Sequence, residues 1–330
     1  MSDLHDTAAD GLAIPAVTIG IPVFNGELYL EEAIRSVLAQ TRDDLELVIS
    51  DNASTDRTQE ICSDYAGKDR RVRYFRSARN LGAAPNYNIC FGHARGRYFK
   101  WLAHDDRISP TYVAKTTRVL ETRPDAVLCN AVVSYIDGTG APLGLYNTRL
   151  AKADVVSASE RFALMVLRSH SCVDFFGMFR RSALESSLLH GTFHGADRAL
   201  LAQMALRGRM VQIPAPLVQM REHEKRYTRS KGRSIDRAAW HDAGRGRVNF
   251  PTWRLYLEYL KMVKGSRLGS QQRLRCYAVL TRWWAVNWNA ARAAVDLLAV
   301  VSPGLPGATE RLKSRMFGAA PGHLAAARRR

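Results

Sequence analysis

From residue 16 onward, short apolar runs alternate with segments whose apolar positions recur every three or four residues. Val17-Thr18-Ile19-Gly20-Ile21-Pro22-Val23 is a β-branched run, cut by Pro22 and closed by the turn-formers Asn25-Gly26. Tyr29, Leu30, Ala33, Ile34, Val37 and Leu38 then follow at helical spacing. Leu45 to Ser50 is a second strand, ending at Asp51-Asn52-Ala53-Ser54-Thr55-Asp56, and helical spacing resumes from Thr58 to Tyr65. Val72 to Phe75 is a short third strand. The loop Asn80-Leu81-Gly82-Ala83-Ala84-Pro85 leads into a helix from about Asn86 to Ala94. A fourth strand, Tyr98-Phe99-Lys100-Trp101-Leu102, stops abruptly at His104-Asp105-Asp106. Strands alternating with helices imply βαβ crossovers, hence an α/β fold with a mostly parallel sheet flanked by helices. The strand ends at Asn25, Asp51 and Asp105 should then line one rim, where an open α/β sheet places its ligand crevice.

The same periodicities predict a helix over 111–121, a strand over 126–129, and a helix over 157–167 opened by a Ser157/Glu160 capping box. A helix over 196–206 carries Asp197 in its first turn, and two short strands, 211–213 and 217–220, fall around Pro214 and Pro216. A basic, glycine-containing stretch from Lys225 to Arg247 reads as a mobile connection. Beyond it Tyr277, Leu280, Trp284, Trp288, Ala291, Val295 and Leu298 predict one amphipathic helix over 273–301. Such a helix either packs on its own domain or lies on a membrane, since Trp and Arg together suit the headgroup boundary. The expected organisation is a frayed N-terminus (1–15), an α/β domain (16–225), and a basic, mainly helical C-terminal region (226–330).

Composition adds three constraints. A chain of 330 residues, 46% hydrophobic and 24% charged, can bury a substantial core. No run of eighteen apolar residues occurs, and the first residues lack the basic start and apolar core of a secretory signal, which points to the cytoplasm. The five cysteines are scattered without a Cys-x-x-Cys pair, as reduced thiols are, rather than a disulfide framework or zinc site. Charge is lopsided. Residues 1–220 hold 25 Lys and Arg against 24 Asp and Glu, whereas 221–330 hold 23 against 7, so nearly all of the net +17 sits in the last third. That asymmetry implies an acidic partner for the C-terminal part, either anionic lipid headgroups or nucleic acid.

The adjacent carboxylates Asp105 and Asp106 repel unless a cation, a hydrogen-bond donor or water compensates them. Their strand end is therefore either a seat for a divalent metal or an exposed loop start. Val17 to Gly26, Glu46 to Asp56, and Ala94-Arg95-Gly96-Arg97-Tyr98 leading to His104-Asp105-Asp106 come in an order and spacing that resembles the family 2 glycosyltransferases of the GT-A (Rossmann-like) fold. The resemblance covers roughly residues 15–225. It implies an inverting enzyme that moves a sugar from a nucleotide-diphosphate sugar to a hydroxyl acceptor, in cell-envelope glycolipid or polysaccharide synthesis, with Mn²⁺ or Mg²⁺.

On that resemblance, Asp51 accepts from a base N–H while Pro22 and Phe24 wall the ring, although Asp51 also suits a turn or a helix cap. Asn25 and Glu27 reach the ribose, or Asn25-Gly26 forms a plain turn. Arg79 pairs with phosphate or is a solvated surface residue. The family commonly carries Asp-x-Asp where this chain has Ala103-His104-Asp105. Asp105 is then the retained metal-binding carboxylate, and His104 contacts ribose or phosphate or only lines the rim. Asp197 matches the family's catalytic base, a position where Asp also simply complements a helix N-terminus. His223 is placed to join Asp105 on the metal in place of the carboxylate missing at Ala103, or else is solvent-exposed. The acceptor is unidentified, and the basic C-terminus suits a lipid-linked one at the inner face of a membrane.

Two other classes compete. A metal-dependent phosphohydrolase or nucleotidyltransferase also uses carboxylates at strand ends, but leaves the contexts of Asp51 and Asp197 unexplained. A nucleic-acid-binding role for the basic C-terminus would use Trp283, Trp284 and Trp288 as stacking platforms, yet no recognised nucleic-acid motif accompanies them, and a nucleic-acid partner is not expected.

Overall fold

The computed structural model describes residues 14–148, 150–168, 170–224 and 250–298. Strands β1 (Val17–Val23), β2 (Leu45–Asp51), β3 (Val72–Arg76) and β4 (Tyr98–Trp101) are connected by helices α1 (Leu30–Leu38), α2 (Thr58–Lys68) and α3 (Ala83–Gly92). They pair in parallel in the order β3-β2-β1-β4. β1 and β2 are buried along their whole length, which is why their sequences read as continuous apolar runs rather than alternating ones. Pro22 is accommodated in this central strand by register. Gly20 O accepts the last bond from β4, at Leu102 N, so Pro22, two residues on, faces the side that β4 has already left.

Beyond β4 the sheet becomes mixed. β8 (Met178–Arg180) runs antiparallel to β4 and to β6 (Ala126–Ile136), β9 (Arg209–Arg221) parallel to β6, and β5 (Arg107–Ile108) and β7 (Pro142–Tyr146) lie antiparallel at the margins. The two short strands expected around Pro214 and Pro216 are one continuous strand, β9. Its register slips where the prolines fall: Ala131 faces Ile213, but Val132 faces Pro216. The irregularity takes up residues that cannot donate to a ladder. Helices α4 (Tyr112–Thr122), α5 (Ala158–Leu167), α6 (Arg181–Glu185) and α7 (Ala196–Arg207) cover this half, and the Ser157 hydroxyl caps α5 by accepting Glu160 N–H at 3.4 Å.

The Arg95-Gly96-Arg97 motif serves the rim opposite the strand C-termini. Glu46, 2% exposed, accepts from the Thr18 hydroxyl, the Arg95 amide and guanidinium, and Arg73. Burial alone would raise its pKa, but these donors outweigh burial and hold it below the usual carboxylate range. Gly96 lies directly against β1, where a Cβ would stand 2.5 Å from Thr18 N.

The C-terminal helices belong to the same body. α8 (Pro251–Lys264), α9 (Ser270–Trp283) and α10 (Asn289–Leu298) were not all foreseen. The single helix expected over 273–301 is broken at Asn287 and Trp288, whose φ angles are 54° and 58°. Tyr259, Val263, Cys276, Leu280 and Trp283 join an apolar cluster with Trp101, Phe162 and Phe175. All five cysteines are buried free thiols. No helix among the described residues is long and apolar enough to cross a membrane. The 225–247 connection and the terminal arginines lie outside the described residues.

Candidate active site

The C-terminal ends of β1, β2 and β4 lie side by side, so the three polar clusters share a rim, and the loops there are stitched to one another. Asn25, at φ 53°, receives Ser54 as an acceptor for its amide and takes Thr55 N–H on its own Oδ1 at 2.8 Å. Glu27 N–H donates to Asp56 and Glu27 Oε2 accepts Arg57 N–H. Both side chains thus clasp the β1 and β2 loops together, which is the turn role left open for Asn25-Gly26. Gly26 is required where the loops touch: a Cβ would stand 2.5 Å from Val23 Cγ2 and 2.9 Å from the His104 ring.

Asp51 is fully buried. Its carboxylate accepts Ser54 N–H at 2.8 Å, the Tyr74 hydroxyl at 2.8 Å and the guanidinium of Arg76. Pro22 is buried opposite Ser50 and does not form an open wall, whereas Phe24 is 44% exposed just past β1. Arg79 stands exposed after β3. Asn52 shapes the adjoining loop, donating to Asn80 Oδ1 and Gly82 O and accepting Leu81 N–H.

Across the rim, Asp105 Oδ2 and His223 Nε2 are 2.9 Å apart, although 118 residues separate them in the chain. Both side chains are largely buried, and the His223 ring lies 5.0 Å from that of Tyr29. The loop carrying Asp105 is held by Arg221 at the end of β9. Arg221 is fully buried and donates to Asp105 O, Gly138 O and Glu32 Oε2, with its guanidinium 4.4 Å over the Tyr29 ring. Arg221 is therefore a buried strut rather than part of the basic surface. Asp106 is also turned inward, accepting Arg221 N–H at 2.9 Å. Below it Lys100 is buried, donating to Phe176 O and lying 4.7 Å over Tyr112. Burial pulls Lys100 down to about 7, against the opposing charge of Asp106.

Asp105 and His223 suit Mg²⁺ or Mn²⁺ as a partial ligand set. One carboxylate oxygen and one imidazole nitrogen 2.9 Å apart are donors that would hold such an ion, and no cluster of three His, Cys, Asp or Glu forms a metal cage among the described residues.

Asp197 opens α7 after Gly195, whose φ is 90°, and its Oδ1 accepts Arg198 N–H at 2.7 Å. On α3, burial raises the pKa of the Tyr87 hydroxyl, and the charges of Asp105, Asp106 and Asp197 raise it further. Cys172 and His190 also neighbour Asp197. Tyr87, Cys172 and His190 belong to no motif, and only the tertiary fold brings them near Asp197.

The family model for glycosyl transferase family 2 matches residues 18–188, more than half the chain, and the chain belongs to that family. Its fold is the GT-A fold. One stretch of 135 residues is 38% identical to an uncharacterized glycosyltransferase of Haemophilus influenzae, covering 41% of this chain and 54% of that protein. Another of 124 residues is 32% identical to the putative glycosyltransferase EpsH of Bacillus subtilis, covering 37% of this chain and 36% of that one. The chain thus spans from 15% to 54% of the length of the curated relatives it matches. Among solved structures, S. aureus TarS 1–349 in complex with UDP aligns with a TM-score of 0.60 at 13% identity, covering 82% of this chain and 72% of that one. The mannosyltransferase PcManGT from Pyrobaculum calidifontis, in complex with GDP-Man and Mn²⁺, aligns at 0.53 and 18% identity, covering 98% and 88%. At these identities the likeness is one of fold.

Proposed function

We propose that the enzyme is an inverting glycosyltransferase using a nucleoside-diphosphate sugar and a hydroxyl acceptor, with Asp197 as general base. The observation that carries this reading is the meeting of Asp105, just past the end of β4, with His223, 118 residues away, 2.9 Å apart beside the rim where β1 and β2 also end. The sugar donor belongs to the class bound by TarS, crystallised with UDP-GlcNAc, and by PcManGT, crystallised with GDP-Man. The nucleoside lies on the β1–β2 rim, against Phe24 and within reach of Asp51, Arg79 and His104. Asn25 and Glu27 fix the loops that shape this rim.

In the reaction Asp197 takes the proton of the acceptor hydroxyl as its oxygen attacks the anomeric carbon. The bond from that carbon to the phosphate oxygen breaks on the opposite face, and its electron pair leaves with the nucleoside diphosphate. Asp105 and His223 would hold Mn²⁺ or Mg²⁺, which supplies positive charge for the departing diphosphate. Binding is tested by thermal shift against a panel of UDP- and GDP-sugars with Mn²⁺, since a ligand of the native state raises its stability. At least one nucleotide-sugar is expected to raise Tm, and proton NMR of the first product is expected to show an inverted anomeric centre. No shift with any nucleotide-sugar, or a retained configuration, contradicts the reading.

The acceptor is proposed to be lipid-linked and met at an anionic membrane surface, in cell-envelope glycolipid or polysaccharide synthesis. Support comes from the excess of 23 Lys and Arg over 7 Asp and Glu after residue 220, together with exposed Trp288 at the break between α9 and α10 and exposed Leu297 and Leu298 on α10. Salt-sensitive co-sedimentation with phosphatidylglycerol vesicles, absent with phosphatidylcholine vesicles, is expected; equal recovery with both overturns this placement.

A further inference from the structure

The carboxylate of Asp51 is closed to a ligand. Its side chain is fully buried, and three of about four lone-pair sites are taken, Oδ1 by Ser54 N–H and Oδ2 by both the Tyr74 hydroxyl and Arg76. A nucleobase N–H could reach it only by displacing Tyr74 or Arg76. The bond to Arg76 joins two charged groups, and such bonds are roughly twice as strong as neutral ones, so exchanging it for a bond to a neutral base N–H is unfavourable.

Arg76 is the partner that reaches solvent. Its side chain is 32% exposed, and its guanidinium spans the end of β2 and the loop that follows, with Nη1 on Asp51 Oδ2 and Nη2 donating to Ser54 O at 2.9 Å. These two bonds fix the plane of the fork and engage two of its five N–H groups. Register sets where that fork stands: Val23, Asp51 and Arg76 fall in one row across β1, β2 and β3. Exposed Phe24 is the next residue after β1, and the Asn25 amide donates to the Ser54 hydroxyl at 2.9 Å. An exposed aromatic ring and a fixed cation thus belong to one corner of the rim.

We infer that Arg76 reads the base of the nucleotide-sugar, its unengaged N–H groups donating to a carbonyl oxygen of the ring, and that Asp51 is a positioning residue that aims it. The inference rests on the nucleotide-sugar reading and changes which side chain meets the base. A donor selects acceptors. Uracil carries ring carbonyl oxygens, and guanine presents O6 beside N7, a pair that a guanidinium engages bidentately; adenine carries an amino group where guanine has O6. The site therefore favours a uracil or guanine nucleotide over an adenine one.

The test is titration calorimetry of the full chain with UDP, GDP and ADP in the presence of Mn²⁺, three ligands that differ only in the base. The tighter of UDP and GDP is expected to bind the wild type about 10–100-fold more tightly than ADP, the size of one hydrogen bond from a charged donor. Arg76→Ala should lose most of that advantage, as should Arg76→Lys, which keeps a cation beside Asp51 but not the fork. ADP affinity should stay within about twofold in both, so it reports on folding: a misfolded variant loses all three ligands. Asp51→Asn loosens Arg76 and should lose a smaller part of the advantage. Were the base bound by Asp51 itself, Arg76→Ala would open the carboxylate to it. Unchanged or tighter binding of UDP and GDP in Arg76→Ala, or a larger loss in Asp51→Asn than in Arg76→Ala, overturns the inference. So does a wild type that binds all three alike. Binding of none of the three removes the nucleotide-sugar reading itself, and the inference with it.

Discussion

Asp51 and Lys100 are buried single side chains near the rim whose partners decide what a substitution does. The Asp51 carboxylate is buried and already engaged by Ser54, Tyr74 and Arg76. Asp51→Asn should therefore lower stability by about 1–3 kcal/mol, measured by urea unfolding, because Arg76 and Tyr74 lose a charged partner. On the proposed nucleotide role it should also raise KM for the nucleotide-sugar while changing kcat little; an unchanged KM places Asp51 in the fold alone. Lys100 makes a pH-dependent prediction. The folded protein releases its proton near 7, whereas the unfolded chain keeps it up to the ordinary 10.5. The unfolded state therefore binds more protons between those values, and stability rises with pH across that window, the cost of the buried charge being full below about 7. Lys100→Met should thus be more stable than wild type at pH 6.5, with an advantage that shrinks toward pH 9, as followed by chemical denaturation. The positions of Asp51, Asp105 and Asp197 at element ends were legible at this scale because the apolar runs stop there. The inward turn of Asp106 and Arg221 was not, since nothing in a local sequence distinguishes a buried arginine strut from an exposed basic residue.

At the scale of elements, the first four strands and their helices could be read because each apolar run ends in turn-forming residues and is followed by a clear helical period. β9 was split in reading because Pro214 and Pro216 are strand breakers by rule, and only the partner strand shows that the register slips around them. The α8 signal was present, with Pro251 at its first turn and Trp253, Tyr256, Leu260 and Val263 at helical spacing, but the basic stretch before it hid its start. The break at Asn287-Trp288 depends on positive φ at two ordinary residues, for which the sequence carries no cue. Gly96 offers a test of how tightly elements are fitted. Its missing side chain would enter the β1 backbone, so Gly96→Ala should cost about 1–3 kcal/mol through overpacking, with a matching fall in Tm. A neutral substitution would mean that the loop before β4 can shift without loss.

For the molecule as a whole, the parallel half supplies the rim where β1, β2 and β4 end, while the mixed half carries Asp197 on α7 and His223 just after β9. Arg221 joins these parts by tying β9 to α1, to the Asp105 loop and to the turn at Asp137-Gly138. Arg221→Met should reduce stability by roughly 2–4 kcal/mol, as expected when a buried ion pair loses one partner. With the Asp105–His223 spacing released, Mn²⁺ affinity read by titration calorimetry with the nucleotide-sugar present should fall by about 10–100-fold. Unchanged metal affinity in the folded variant would detach the metal site from this strut. The central claim concerns Asp197, and steady-state release of nucleoside diphosphate by Asp197→Asn tests it most directly. The account predicts a fall in kcat of about 10²–10⁴-fold with nucleotide-sugar binding retained; a folded Asp197→Asn enzyme turning over at the wild-type rate would contradict it.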